Sequence, residues 1–183
     1  MKLKLLLPAF LIVSLFALTS CSKKEEQKPV TDTQLEKYNP EPAASKPGKA
    51  PDFALKNVKG GMDVKLSDYK GKVVILDFWA TWCGPCRRGV PDLVELKNKY
   101  GENLEIIGIS VDQEDTKAEI APFMAEYKIN YPVVYADQSV VNAYGGIEAI
   151  PTSFIVDKEG NIVDSHVGLV DKSVYEEAIN RLK

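Results

Sequence analysis

The sequence has few of the residues that a structural zinc site requires. Its 183 residues include three cysteines, Cys21, Cys83 and Cys86, and one histidine, His166. A closed tetrahedral zinc site needs four ligands, usually two cysteine pairs or one pair with two histidines. Such a site within one chain would have to recruit carboxylates, so we predict neither a metal nor another cofactor. His166 is interpreted as an exposed strand residue without a catalytic role.

The sequence also lacks the features of nucleic-acid-binding proteins, repeat proteins and proteins with a phosphate-binding loop. The formal net charge is −3, and no basic stripe of the kind that binds nucleic acid is present. The chain has no internal repeat and no glycine-rich phosphate loop. Its 45% hydrophobic content is typical of a globular domain. We therefore expect one globular domain that does not bind nucleic acid. We also expect the protein to be a monomer.

No apolar run is long enough to span a bilayer. Residues 5–18 are almost all apolar and follow a short basic start, but they fall short of the roughly 20 residues that a span requires. This pattern is typical of a signal-peptide hydrophobic region. The next residues, Leu18-Thr19-Ser20-Cys21, resemble the lipobox of bacterial lipoproteins, which implies cleavage before Cys21 and lipid on that cysteine. The alternative is an ordinary secretory signal with an incidental cysteine.

The composition divides the chain into three parts. We predict a lipoprotein signal peptide over residues 1–20, a lipidated, disordered tether over 21–48 and a folded domain over 49–183. The tether is rich in proline and charge and has few large apolar residues, so it cannot bury enough surface to fold. The protein would then be exported and anchored by lipid to a bacterial membrane, facing the periplasm or the cell exterior.

The most informative motif is Trp-Cys-Gly-Pro-Cys at residues 82–86. It follows an apolar, β-branched run and precedes a helical pattern, so it lies at a strand-to-helix junction. Two cysteines separated by two residues at such a junction form a dithiol that can cycle to a disulfide. Cys83 would begin the helix, whose unpaired N–H groups favour its thiolate. A purely structural disulfide over so short a loop would gain little from chain entropy.

The apolar spacing predicts an α/β fold. A parallel β-α-β crossover followed by an antiparallel hairpin gives a mixed central sheet with helices on both faces. The predicted elements are a hairpin within 53–66, a strand over 72–79, a helix ending at Tyr100, a strand over 104–111, a helix over 116–127, a strand over 131–135, a helix over 139–144, a hairpin over 153–167 and a helix over 172–182.

Three parts of the sequence resemble a known family. Residues 77–86, Asp-Phe-Trp-Ala-Thr-Trp-Cys-Gly-Pro-Cys, closely resemble the active-site strand and turn of thioredoxin. Pro91 matches the proline of the thioredoxin active-site helix, and residues 150–152, Ile-Pro-Thr, resemble its cis-proline loop. The resemblance implies a thioredoxin-like fold.

The remainder of the domain resembles the TlpA/ResA-type subfamily of membrane-tethered thiol–disulfide reductases. The similarity lies in residues 51–53, in residues 66–72 and in the extra segment over 111–144. The subfamily adds an N-terminal β-hairpin and an inserted helix to the thioredoxin-like fold. Its members often carry an acidic residue three positions after the second cysteine, where this chain has Gly89, and asparagine where this chain has Asp77. The acidic group is thus interpreted as relocated to Asp77.

The resemblance implies a role for each residue of the motif. Cys83 attacks a substrate disulfide, and the more buried Cys86 resolves the mixed disulfide. Asp77 is the candidate base for Cys86, with its own pKa raised by desolvation. Pro151 would be cis, so that the backbone of Ile150 can pair with an extended substrate segment. The contact surface is completed by Trp82, Gly84 and Pro85, whereas Trp79 is expected in the core.

The expected function is an extracytoplasmic thiol–disulfide oxidoreductase that reduces disulfides of exported proteins, including apocytochromes c. Because that compartment favours disulfides, a reductase there needs a membrane-embedded electron donor. Three alternatives stay open: a disulfide oxidase of the same fold, a peroxiredoxin-like antioxidant enzyme and a non-enzymatic binding lipoprotein. Against a peroxiredoxin, Ala80 occupies the threonine position of the Pro-x-x-x-Thr-x-x-Cys motif.

Overall fold

The computed structural model describes residues 48–183. The predicted signal peptide, the predicted lipidation site Cys21 and the predicted tether up to residue 47 lie outside the described residues. Within the described range, no helix combines the length and the apolar character that a membrane span requires.

Residues 48–183 form eight strands and four α-helices. In chain order they are β1 Gly48–Lys49, β2 Ala54–Leu55, β3 Val64–Lys65, β4 Val73–Trp79, α1 Gly84–Tyr100, β5 Leu104–Ser110, α2 Ile120–Glu126, β6 Val133–Tyr135, α3 Gln138–Ala143, β7 Thr152–Val156, β8 Asn161–Val167 and α4 Lys172–Leu182.

The strands form a six-stranded mixed sheet in the order β1-β8-β7-β4-β5-β6. The strands β4, β5 and β6 run parallel, whereas β7 pairs antiparallel with β4 and β8, and β1 pairs antiparallel with β8. The strands β2 and β3 form a separate antiparallel hairpin. The predicted mixed sheet and N-terminal hairpin are therefore confirmed.

The central strand β4 separates two halves of the core. All seven of its residues are buried, because helices cover one face of the sheet and α3 with the hairpin covers the other. Ile75 and Trp79 pack in the cluster that includes α1 and α4. Leu76 and Phe78 pack in the opposite cluster with α3 and the hairpin. Trp79 is thus a core residue, as predicted.

Two local expectations were wrong. The helix expected over residues 116–127 begins as a 3₁₀ turn over Lys117–Glu119 and becomes α-helical only from Ile120. His166 is not an exposed strand residue, because its side chain is only 16% exposed and its ring meets that of Tyr175 edge to face. The imidazole Nε2 lies 3.5 Å from the Asp164 carboxylate, yet it makes no hydrogen bond within residues 48–183.

Candidate active site

The two cysteines of the motif form a disulfide at the start of α1. Their Sγ atoms are 2.05 Å apart, and both residues are buried. Cys83 is the N-cap of the helix, and its Sγ accepts a hydrogen bond from the Cys86 N–H at 3.2 Å. Pro85 occupies the first turn, where its missing N–H costs no helix hydrogen bond. Cys83 therefore lies at the N-terminus of the helix, as the sequence predicts. Gly84 and Pro85 are exposed beside it.

The cis-proline loop lies against this disulfide. The Ile150–Pro151 peptide bond is cis, as predicted from the resemblance. The Ile150 carbonyl oxygen lies 3.7 Å from Cys83 Sγ, a contact rather than a hydrogen bond because a disulfide sulfur has no proton to donate. The loop is held by the Gly168 N–H, which donates to the Pro151 carbonyl at 2.7 Å, and by the Thr152 hydroxyl, which donates to Ala149.

Asp77 lies beneath the disulfide in the middle of the sheet. In β4 it is paired between Gly108 of β5 and Ser153 of β7, and it is 6% exposed. Burial raises the pKa of its carboxyl from the ordinary value of 3.8 to about 7. The direction and the cause of this pKa shift agree with the sequence-based expectation.

Asp77 and Cys86 line the same small cavity. Its volume of about 20 Å³ is close to the space that one water molecule needs. Pro151 of the cis-proline loop also lines it. The structure therefore brings the second cysteine, the buried carboxyl and the proline loop together around a space in which a proton could be carried.

Two residues that the sequence analysis did not single out share this cavity, Asp92 of α1 and Tyr175 of α4. The Tyr175 hydroxyl hydrogen-bonds to the Ser153 hydroxyl at 2.9 Å. Burial, and secondarily the charge of Asp77, raise the pKa of Tyr175 further above its ordinary value of 10.0. Tyr175 therefore stays protonated where Asp77 titrates. No local motif marks it, because α4 reaches the cavity only through the tertiary fold.

Gly89, the position where the subfamily often has an acidic residue, lines the cavity too. A Cβ atom placed on Gly89 would lie 3.0 Å from Leu169 Cδ1, closer than ordinary van der Waals contact. Leu169 also lines the cavity, although 43% of its surface is exposed. A side chain at position 89 would therefore require the end of the Leu169 side chain to shift by a few tenths of an ångström.

The turn before the disulfide is fixed by a hydrogen-bond network around Asp112, which the sequence analysis missed. The buried Asp112 carboxylate accepts the Thr81 N–H at 3.0 Å, the Thr81 hydroxyl at 2.6 Å and the Ser110 hydroxyl at 2.8 Å. The Arg87 guanidinium donates to the Thr81 carbonyl at 3.1 Å and lies over the Phe123 ring, 5.1 Å from its centroid. Every polar group of Thr81 is therefore anchored, two residues before Cys83.

An open groove lies beside the disulfide. Trp82, which is 61% exposed, and Ile150 line it, and its volume is about 340 Å³. The predicted contact residues Trp82 and Ile150 therefore border a continuous surface rather than isolated points.

The comparisons with known proteins agree with this geometry. A family model described as the AhpC/TSA family matches residues 48–165. The thioredoxin-like protein YneN of Bacillus subtilis is 35% identical over 133 residues, covering 72% of this chain and 77% of that protein. The thiol-disulfide oxidoreductase ResA of the same organism is 35% identical over 136 residues, covering 73% of this chain and 74% of that protein.

Solved structures show the same fold. A thiol:disulfide interchange protein of the thioredoxin family from Chlorobium tepidum has a TM-score of 0.68 at 32% identity, covering 76% of this chain and 99% of that one. The pneumococcal exposed lipoprotein thioredoxin of Streptococcus pneumoniae has a TM-score of 0.63 at 31% identity, covering 72% of this chain and all of that one. The chain therefore belongs to the AhpC/TSA family and is a thioredoxin-like thiol–disulfide oxidoreductase of the TlpA/ResA type.

Proposed function

We propose that this protein reduces disulfides in exported proteins outside the cytoplasm. The observation that carries the proposal is the cavity shared by Cys86 and Asp77, because a resolving thiol needs a base that is ready to accept its proton near neutral pH. The burial-raised pKa of Asp77, about 7, suits that task. Gly84 and Pro85 between the cysteines also resemble the motif of reducing thioredoxins.

The reaction starts from the reduced dithiol. The Cys83 thiolate attacks one sulfur of the substrate disulfide, so that a mixed disulfide forms and the other substrate sulfur leaves as a thiolate. Cys86 then gives its proton to Asp77, through the cavity, and attacks Cys83 Sγ. The substrate has then gained two electrons and is released as two thiolates, one of which takes the proton held by Asp77 and the other a proton from solvent, and the protein is left with the Cys83–Cys86 disulfide. A membrane-embedded electron donor must return two electrons to complete the cycle.

The cis-proline loop supports substrate positioning in this scheme. The Ile150 N–H has no hydrogen-bond partner within residues 48–183. It is therefore available to an extended substrate segment, in the manner of strand addition to an exposed edge. Trp82, exposed next to Cys83, offers an apolar contact to the same segment.

The proposed cellular location is supported by the N-terminal sequence and by one relative. Residues 1–20 are proposed to be a lipoprotein signal peptide, with lipid on Cys21 and a tether from there to the domain. The structural relative from Streptococcus pneumoniae is described as an exposed lipoprotein, which supports this location. β1 pairs with the start of β8, at the end of the sheet opposite the disulfide. The anchored domain would thus present its disulfide away from the point where the chain enters.

Apocytochromes c are among the substrates that we propose.

Reduction of insulin disulfides with dithiothreitol as electron source tests the activity. We expect Cys83→Ser to abolish turnover and Cys86→Ser to accumulate mixed disulfides, because the resolving thiol is missing. Wild-type turnover that survives in Cys83→Ser would overturn the enzymatic mechanism. A peroxide-consumption assay on the same samples addresses the peroxiredoxin alternative, for which Ala80 stands where the threonine is required.

A redox titration of the Cys83–Cys86 pair tests the direction of the reaction. A reductase should have a midpoint potential more negative than about −200 mV, whereas a value near about −120 mV is typical of a strong disulfide oxidant. The second result would replace the reductase proposal with an oxidase of the same fold.

Labelling with radioactive palmitate tests the anchor. Cys21→Ala should lose the label and stay unprocessed, because the acceptor sulfur and the cleavage signal are both gone. Equal labelling of the wild type and the variant would show that Cys21 is not lipidated.

A further inference from the structure

The groove beside the disulfide has a chemical character that the reductase chemistry does not require. We propose that it selects substrate segments that carry a lysine or an arginine close to the cysteine under attack, and that Glu148 is the residue that determines this specificity. This inference rests on the proposed function, since it concerns substrates of the same disulfide.

The position of the groove links it to the reacting atoms. Trp82, the chain neighbour of Cys83, and Ile150, whose carbonyl is 3.7 Å from Cys83 Sγ, both line it. A substrate whose sulfur reaches Cys83 therefore has this groove beside the residues that flank its cysteine. The groove is continuous with the site rather than a separate surface.

The lining of the groove matches an amphipathic cation. Val141, Ile147 and Trp82 give it an apolar wall. Lysine and arginine bury their aliphatic stems against such surfaces while their charged ends stay at the rim. The volume of about 340 Å³ is in the range of sites that hold small ligands, so it can receive a long side chain.

The polar groups at the rim accept hydrogen bonds. Among the described residues that line the groove, Glu148 alone is charged. It is exposed and forms no ion pair within residues 48–183. Gln113 uses its amide N–H to bind the Val111 carbonyl at 3.1 Å, which leaves its carbonyl oxygen as an acceptor. A carboxylate and an amide oxygen without a cation between them are complementary to an ammonium or a guanidinium group.

A peptide series measures this selectivity. Three peptides, each closed by one disulfide, differ at a single position next to the attacked cysteine, which is lysine, glutamine or glutamate. The full chain, purified in detergent and reduced beforehand, is mixed with each peptide, and the second-order rate of reduction is followed by the change in tryptophan fluorescence, to which Trp79 and Trp82 both contribute. We expect the lysine peptide to react about 1.4- to 5-fold faster than the glutamine peptide, the range typical of an exposed ion pair. The advantage should shrink at high salt.

Two substitutions assign the effect to Glu148. In Glu148→Gln the ratio of lysine to glutamine rates should fall to about one, and in Glu148→Lys the glutamate peptide should become the fastest, because the complementary charge is reversed. Glu177→Gln is the matched control, because it removes one exposed carboxylate from α4, outside the groove, and should keep the wild-type ratio.

The outcomes separate this proposal from the reductase activity itself. Equal rates for the three peptides with the wild type, or a lysine preference that persists in Glu148→Gln, would overturn the role of Glu148 and leave the reductase intact. A wild type that reduces none of the peptides would overturn the proposed function as well.

Discussion

Replacing Asp77 with asparagine is expected to stabilise the oxidised protein, by an amount that grows with pH. The carboxyl of Asp77 is buried, and its pKa rises from 3.8 to about 7 because the ionised form is desolvated. Below about pH 3 the group is mostly neutral in both the folded and the unfolded protein, so the substitution should change the free energy of unfolding little. Above pH 7 the wild type carries a buried charge that asparagine lacks.

The magnitude follows from the difference between the two pKa values. At about 1.36 kcal/mol for each pKa unit, a rise from 3.8 to about 7 corresponds to on the order of 4 kcal/mol of stability. The folded state binds the proton more tightly than the unfolded state, so the wild type loses this stability as pH rises through that interval. About 3 kcal/mol of the loss falls between about pH 5 and about pH 8.5.

Urea unfolding of the oxidised wild type and of Asp77→Asn across this pH range measures the effect. The difference between the two curves reports Asp77 together with its coupling to Asp92, which lines the same cavity, because the remaining titrating groups are shared. The pKa values of the nearby Tyr131 and Tyr175 are raised above 10.0, so these groups do not titrate in the window. Glu177→Gln, which removes an exposed carboxylate, should follow the wild type. A difference that stays constant with pH would refute the assignment of a costly buried charge to Asp77.

Three further predictions concern the same site. Asp77→Asn should slow resolution of the mixed disulfide. General-base catalysis typically contributes about 10²–10⁴-fold, and the loss should not exceed this range because water can partly replace the carboxylate. An unchanged single-turnover rate across a pH series would remove Asp77 from the mechanism. Thr81→Val leaves the buried Asp112 without one donor and should cost about 1–3 kcal/mol in urea unfolding, whereas Thr81→Ser should stay close to the wild type; equal losses would contradict the network. Gly89→Ala and Leu169→Ala should be coupled by about 0.5–3 kcal/mol in a double-mutant cycle, and additive losses would contradict their contact.

The parts of the site that could be predicted from sequence are those encoded in short segments. The disulfide pair, the buried strand that carries Asp77 and the cis-proline loop each follow from a few neighbouring residues and from the thioredoxin resemblance. The direction of the Asp77 pKa shift also follows from sequence. An aspartate flanked on both sides by apolar strand residues is expected to be buried, and burial raises the pKa of a carboxyl group.

The remaining parts depend on how distant segments meet. Asp112 reaches Thr81 because β5 runs parallel to β4 and both strands end at the same edge of the sheet. Tyr175 arrives at the cavity on the last helix. His166 is half-buried because that same helix packs over its strand. The apolar-polar pattern along β8 alone does not show that a helix covers this residue. Spacing along the chain carries no information on such contacts.

The contact between Gly89 and Leu169 also constrains how this protein can evolve. The two positions are far apart in sequence, yet a Cβ on the first would lie 3.0 Å from the second. A lineage that acquires a carboxylate at position 89 therefore needs the Leu169 side chain to move by a few tenths of an ångström, and at 43% exposure that side chain has open space beside it. A smaller residue at position 169 removes this requirement and makes the acidic substitution easier to accept. The residue at position 169 thus sets how readily the acidic form of the site is reached from this sequence.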